Sequence, residues 1–183
     1  MVYVHLAEGF EEIEALTVVD LMRRAQIDVQ TVAMGEDKTV TGAHGIAVQA
    51  DILQEEADYS ASEMLVLPGG MPGTKNLRAC EPLCDAVRAF ATSGRMIAAI
   101  CAAPSILAEL GLLEGRAATS NPNFQHVLAE HGAKVQQGAV VTDGNLMTSK
   151  GLGTAVELGL ELVRHFLGDD AVEDVKRKIV YQG

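Results

Sequence analysis

Apolar and polar positions alternate in blocks along this chain. The runs "VYVHLA" (2–7), "DVQTVAM" (28–34), "EMLVLPGG" (63–70) and "RMIAAI" (95–100) are short, apolar and partly β-branched. Such runs predict strands buried on both faces. Between them lie segments of helical character. Residues 11–25 carry Glu in the first turn and Arg23 and Arg24 in the last, as the helix dipole favours. Residues 82–92 predict a helix with Pro82 in its first turn, residues 103–110 one stopped by Gly111, and residues 123–131 one ending at Gly132. Val156, Leu160, Val163 and Leu167 recur at spacings of four, three and four, which marks a long amphipathic helix. A last helix over about 170–180 places Val172, Val175 and Ile179 on one face. The stretch 38–53, with Gly42 and Gly45, predicts a hairpin or short strands. Residues 116–120 are strand-like, and 134–149 read as strands around the turn signal "TDGN".

Buried strands alternating with helices predict an α/β fold, a mostly parallel sheet covered on both faces. The functional site of such a fold lies beyond the carboxyl ends of its strands. Three loops meet that condition: the one after strand 2–7, the one after 63–67, and the one holding Cys101.

The length of 183 residues, 48% of them hydrophobic, suits a single domain over 1–183 with one sizeable core. The net charge of −11, with no basic run or stripe, argues against nucleic acid and anionic membrane surfaces as partners. The opening "MVYVHLAEGFEE" lacks a basic n-region and a long apolar h-region, so no signal peptide is expected there. The longest apolar stretch, "MIAAICAAPSILA", is broken by Pro104 and is too short for a membrane helix. Three cysteines make no disulfide framework, and a reducing cytoplasmic setting is expected.

Cys101 follows "MIAAI" and precedes "AAPS". A buried cysteine commonly acts only as a small hydrophobe. At a strand-to-helix corner, however, a helix N-terminus and free N–H groups favour a thiolate, and flanking alanines suit a tight turn. "LPGG" places Gly69 and Gly70 at the same sheet edge, either as an ordinary turn or as backbone donors for an anion. In "EGFEEIEA", Glu14 shares a stripe with Val18 and Leu21, so its carboxyl is expected to be partly buried with a raised pKa. Glu11 and Glu12 are expected at the surface.

Together "EGFEEIEA", "LPGG", "AAICAAPS" and "TSKGLGTAVELGLELV" (148–163) resemble, in order, the ThiJ/PfpI family of the class I glutamine amidotransferase-like superfamily, in particular its protein-deglycase branch. The resemblance implies a flavodoxin-like three-layer sandwich and a homodimer. It implies that Cys101 is a nucleophile on an elbow, that Glu14 is its protonated partner, and that Gly69, Gly70 and the Ala102 backbone form the anion pocket. It implies no cofactor, and activities such as conversion of methylglyoxal to lactate or repair of glyoxal adducts.

Three positions depart from the pattern. Ala102 follows Cys101 where peptidase relatives have histidine, so peptidase activity is not expected. Asn121 stands where the branch often has histidine; it can hold a substrate oxygen but cannot shuttle protons. His44 stands where the branch often has an arginine. With Arg24 it could add charge near the thiol or a dimer contact, or be a plain loop residue.

Cys80 and Cys84 lack the partners of a metal site, so packing is expected for them and no metal for the chain. His126, His131 and His165 read as structural. "KGLGT" (150–154) lacks the lysine-then-hydroxyl pair that follows a phosphate loop's last glycine, and is expected as a close-approach loop beside the site. The resulting expectation is a cysteine enzyme acting on small aldehydes or glycated substrates. The alternatives are an oxidative-stress sensor whose Cys101 becomes a sulfinate, and a vestigial interaction module.

Overall fold

The computed structural model describes residues 1–182. In chain order the elements are β1 (Val2–Leu6), α1 (Glu12–Arg24), β2 (Val29–Ala33), β3 (Thr39–Thr41), β4 (Ala47–Gln49), β5 (Ile52–Leu53), β6 (Met64–Leu67), α2 (Gly73–Ala79) and α3 (Glu81–Ser93). There follow β7 (Met96–Ile100), α4 (Pro104–Glu109), β8 (Ala117–Ala118), α5 (Gln125–Glu130), β9 (Lys134–Val135), β10 (Val140–Asp143), β11 (Leu146–Ser149) and α6 (Ala155–Lys178). The main sheet has seven strands in the order β10-β11-β7-β6-β1-β2-β5. Every pairing in it is parallel except the β10–β11 hairpin.

The apolar runs are continuous because both sheet faces are covered. Val2, Val4 and Leu6 of β1 join Met64 and Val66 of β6 and Met96, Ala98 and Ile100 of β7 on one face, under α1 and α6. Tyr3, Leu65, Leu67, Ile97 and Ala99 point the other way, against α3 and α4. The outer helices also pack on each other. A Cβ at Gly159 of α6 would stand 2.5 Å from Leu21 Cδ1 of α1, so the missing side chain lets the two helices approach.

Two pairs of the short strands expected from sequence lie off this sheet. β3 pairs only with β4, and β8 only with β9. The two predicted C-terminal helices run end to end as α6, interrupted at Gly168, whose φ of 79° is left-handed. The helix α2 is an addition to the sequence reading. It has seven residues and buries Gly73, Thr74 and Leu77, too few apolar positions to set up a helical period. No described helix is long and apolar enough to cross a membrane.

Candidate active site

The three loops selected from sequence converge at the carboxyl edge of β1, β6 and β7. Cys101 follows β7 directly and has φ 66°, a left-handed conformation that costs a non-glycine residue roughly 1–2 kcal/mol. Its backbone is held on both sides. The Cys101 N–H donates to Ser149 O at 3.0 Å, and the Asn121 N–H donates to Cys101 O at 2.8 Å. This is the strained corner that the alanine-flanked cysteine suggested.

Glu14 lies in the first turn of α1 and is 1% exposed. Glu11 caps that helix, its Oε2 accepting the Glu14 N–H at 2.6 Å, which orients the turn. Glu14 Oε2 accepts the Gly69 N–H at 3.0 Å, and the carboxyl also meets the Leu152 N–H and the Cys101 thiol. Gly69 is where the carboxyl and the thiol come together. A Cβ there would stand 2.6 Å from Cys101 Cβ and 2.6 Å from Glu14 Oε2. Gly70 has φ 91°, and its N–H and that of Ala102 face the Cys101 sulfur.

Burial pushes the Glu14 carboxyl up to about 7, and the charge of Glu11 adds to it, against the hydrogen bonds from Cys101, Gly69 and Leu152. Burial also pushes the Cys101 thiol up to about 12, helped by the Glu14 carboxylate, against the N–H groups of Ala102 and Gly70. This corrects the expectation of a thiolate favoured by the helix alone. The six residues of α4 and two N–H groups do not outweigh desolvation and a neighbouring negative charge. The thiol loses its proton readily only as Glu14 takes one up, so the two titrate as a pair.

Asn121 and Gly151 close the cleft. A Cβ at Gly151 would lie 3.6 Å from Glu14 Oε1, 3.7 Å from Asn121 Nδ2 and 3.8 Å from Cys101 Sγ. The "KGLGT" loop therefore sits over the pair. Asn121 Oδ1 accepts the Asn123 N–H at 3.1 Å, which fixes the amide with its Nδ2 donor toward the thiol.

Two of the expected charges lie elsewhere. Arg24 ends α1, ten residues or roughly 15 Å of helix beyond Glu14, and its Nε pairs with Asp20 Oδ2 at 2.6 Å. It adds no charge at the thiol. His44 binds Glu12 rather than facing the sulfur. Its Nδ1 lies 2.9 Å from Glu12 Oε2, and its N–H donates to Glu12 Oε1 at 2.8 Å. Glu11 and Glu12 are buried, at 8% and 2% exposure, against the surface expectation. The β3–β4 hairpin covers them, and periodicity within α1 carries no sign of a distant loop folding back. Glu11, Glu12 and His44 bring potential metal ligands within 4.8 Å of one another. Their acceptors already serve the Glu14 N–H and the hairpin, so the group reads as a clamp on α1. Cys80 and Cys84 are free; Cys80 precedes α3 and Cys84 is buried in its packing.

The DJ-1/PfpI family model matches residues 1–165. Protein DJ-1 homolog A of Arabidopsis thaliana is 35% identical over 175 residues, covering 95% of this chain and 45% of that protein. The chain thus spans less than half the length of that plant relative. Protein dj-1beta of Drosophila melanogaster is 33% identical, with 96% of this chain and 94% of the relative covered. The crystal structure of Drosophila DJ-1beta superposes with a TM-score of 0.94 over 100% of this chain and 98% of that one, at 32% identity. The α/β sandwich is accordingly flavodoxin-like, as the sequence motifs implied. Deglycase PH1704 of Pyrococcus horikoshii is 31% identical, covering 79% of this chain and 86% of that protein.

Proposed function

The chain belongs to the DJ-1/PfpI family, and from that premise we propose that Cys101 and Glu14 form a cofactor-independent covalent pair acting on small 2-oxoaldehydes or their adducts. A family that includes a deglycase supports a protective or deglycase-type role. The observation that carries the finer reading is the meeting of Cys101 Sγ, Glu14 Oε1 and Asn121 Nδ2 around Gly151.

The chemistry uses each group once per step. The Glu14 carboxylate takes the Cys101 proton as the sulfur attacks the aldehyde carbon. The Gly70 and Ala102 N–H groups hold the developing oxyanion, which Glu14 then protonates to a hemithioacetal. Glu14 next removes the proton from the former aldehyde carbon and delivers it to the second oxygen, giving an enediol; it then takes the hydroxyl proton of the first oxygen and delivers it to the adjacent carbon. The first carbon is thereby oxidised to a thioester and the second reduced to an alcohol, with Asn121 Nδ2 donating to the second oxygen. Water cleaves the thioester, releases a 2-hydroxy acid and restores the thiol. With methylglyoxal the product is lactate. Asn121 cannot relay a proton as histidine would, so Glu14 carries every transfer.

The test is lactate formed from methylglyoxal in amine-free buffer, with wild type and Cys101→Ala side by side. Lactate from wild type alone supports the reading; lactate from both removes Cys101 from the reaction.

A second role has its own support. Two N–H groups and a carboxyl with a raised pKa surround the sulfur, a setting that suits a sulfinate formed by peroxide. Mild peroxide should then add two oxygens to Cys101 and spare Cys80 and Cys84. We also propose a cytoplasmic homodimer. Ile13, Ile46 and Leu152 are 48%, 54% and 52% exposed on segments tied to the first turn of α1, an apolar surface that a second copy would cover.

A further inference from the structure

A cavity of about 400 Å3 opens between α2 and α4, beside the Cys101 cleft. Its walls continue the segments that cradle the sulfur. Met71 follows Gly70, and Ser105 donates its hydroxyl to Ala102 O at 2.7 Å. Phe124 lies beyond Asn121, its N–H donating to Asn121 O at 2.8 Å. Met71, Ile106 and Phe124 make the lining partly apolar.

The charged groups around it are unequally matched. Arg78 Nε donates to Glu109 Oε2 at 3.0 Å, and Glu81 faces Arg88 at 3.8 Å. The lining's two cations and two carboxylates balance, but Lys75 has no carboxylate partner among the described residues, so it is the lining cation free to take an anion. Thr74 also lines it. That residue is 3% exposed, and its hydroxyl has no hydrogen-bond partner among the described residues. An orphaned buried hydroxyl is unfavourable, and a rotation about χ1 that turns it into the cavity would let a ligand oxygen satisfy it.

We propose that this cavity is a binding subsite for the carboxylate end of a substrate whose short apolar stem runs past Met71, with Lys75 and Thr74 as the polar contacts. The class of ligand is a carboxylate-terminated aliphatic 2-oxoaldehyde. The inference rests on the Cys101 reading for the reacting end of that molecule; occupancy of the cavity does not depend on turnover.

Occupancy is measured first, with hexanoate and hexanamide titrated into the full chain by calorimetry and by amide chemical shifts. Hexanoate should bind saturably and shift the amides of Met71, Thr74, Lys75 and Phe124. Hexanamide, and hexanoate on Lys75→Gln, should each bind about tenfold more weakly, as loss of one charge-assisted contact implies. Thr74→Val should weaken hexanoate as well. No saturable binding, equal binding of the amide, or shifts confined to another surface would overturn the subsite. The link to substrate is read next, from kcat/KM for 4,5-dioxopentanoate against its methyl ester. Wild type should prefer the free acid, and Lys75→Gln should bring the ratio toward one. Equal use of acid and ester by wild type would overturn the link. Absence of turnover with any aldehyde would sink the proposed reaction and leave the titration to decide the cavity.

Discussion

Glu14 and Cys101 share a hydrogen bond inside a buried cleft; burial raises the pKa of both, and the Glu14 carboxylate raises that of the thiol further, while the thiol's hydrogen bond eases the shift on Glu14. The contact exists because Gly69 has no side chain; a methyl group there would overlap both residues. Reactivity in this site therefore belongs to the pair rather than to the cysteine alone.

The first consequence is a pH profile. Glu14 accepts the thiol proton only as a carboxylate, and burial holds its pKa at about 7. The kcat/KM for methylglyoxal should fall as pH drops through about 7, about tenfold per unit below it. A profile flat from pH 5 to 8, about two units below to one above, would show that Glu14 is not the base.

The same shift carries a stability cost. The folded pKa of Glu14 lies above its ordinary value of 4.5, so the folded state binds more protons between 4.5 and about 7. Stability falls as pH rises across that window, and the whole cost, about 3 kcal/mol, is present above it. Glu14→Gln should remove that cost. Urea unfolding should show the variant more stable than wild type at pH 8, with no such advantage near pH 4.

Gly69→Ala tests the close approach. Its methyl group displaces the thiol, the carboxyl or both, and a shift of that size costs about 100-fold in kcat/KM. The expected signature is lost turnover with a folded protein by circular dichroism.

Asn121→Asp separates two functions of one side chain. An aspartate oxygen keeps the cap on the Asn123 N–H but loses the Nδ2 donor that faces the thiol. Melting temperature should hold while kcat/KM falls about tenfold or more, the loss expected for one hydrogen bond and an added negative charge.

Glu12 tests the clamp. Its buried carboxylate accepts the N–H groups of His44 and Ile46 and the His44 ring nitrogen. Glu12→Ala leaves those donors unpaired and should cost about 2–3 kcal/mol. Hydrogen exchange should quicken over 42–46 and at the first turn of α1.

Much of this architecture was legible in sequence because its signals are local. The runs at β1, β6 and β7 are apolar on both faces, so they announce a covered sheet, and the edge rule then selects the loops of Gly69 and Cys101. Glu14 stood out because it interrupts an apolar stripe. Glu11 and Glu12 did not, because their burial comes from a hairpin about 30 residues away, as the His44–Glu12 contact shows. The same limit hid the thiol's raised pKa, which comes first from burial in the assembled cleft and then from the approach of Glu14. Arg24 was misplaced for a simpler reason: the length of α1 carries it to the opposite end from Glu14. The helix α2 was missed because seven residues with three buried positions make no period.

The most direct measurement is a mass spectrum of Glu14→Gln quenched after incubation with methylglyoxal. Without the carboxylate the thiol must give its proton to solvent, so it attacks the aldehyde only slowly, over a long incubation, and the adduct cannot rearrange. The account predicts one methylglyoxal equivalent on the protein, mapped to Cys101, with no lactate released. A variant that forms lactate, or that carries the adduct on other residues while Cys101 stays free, would contradict it.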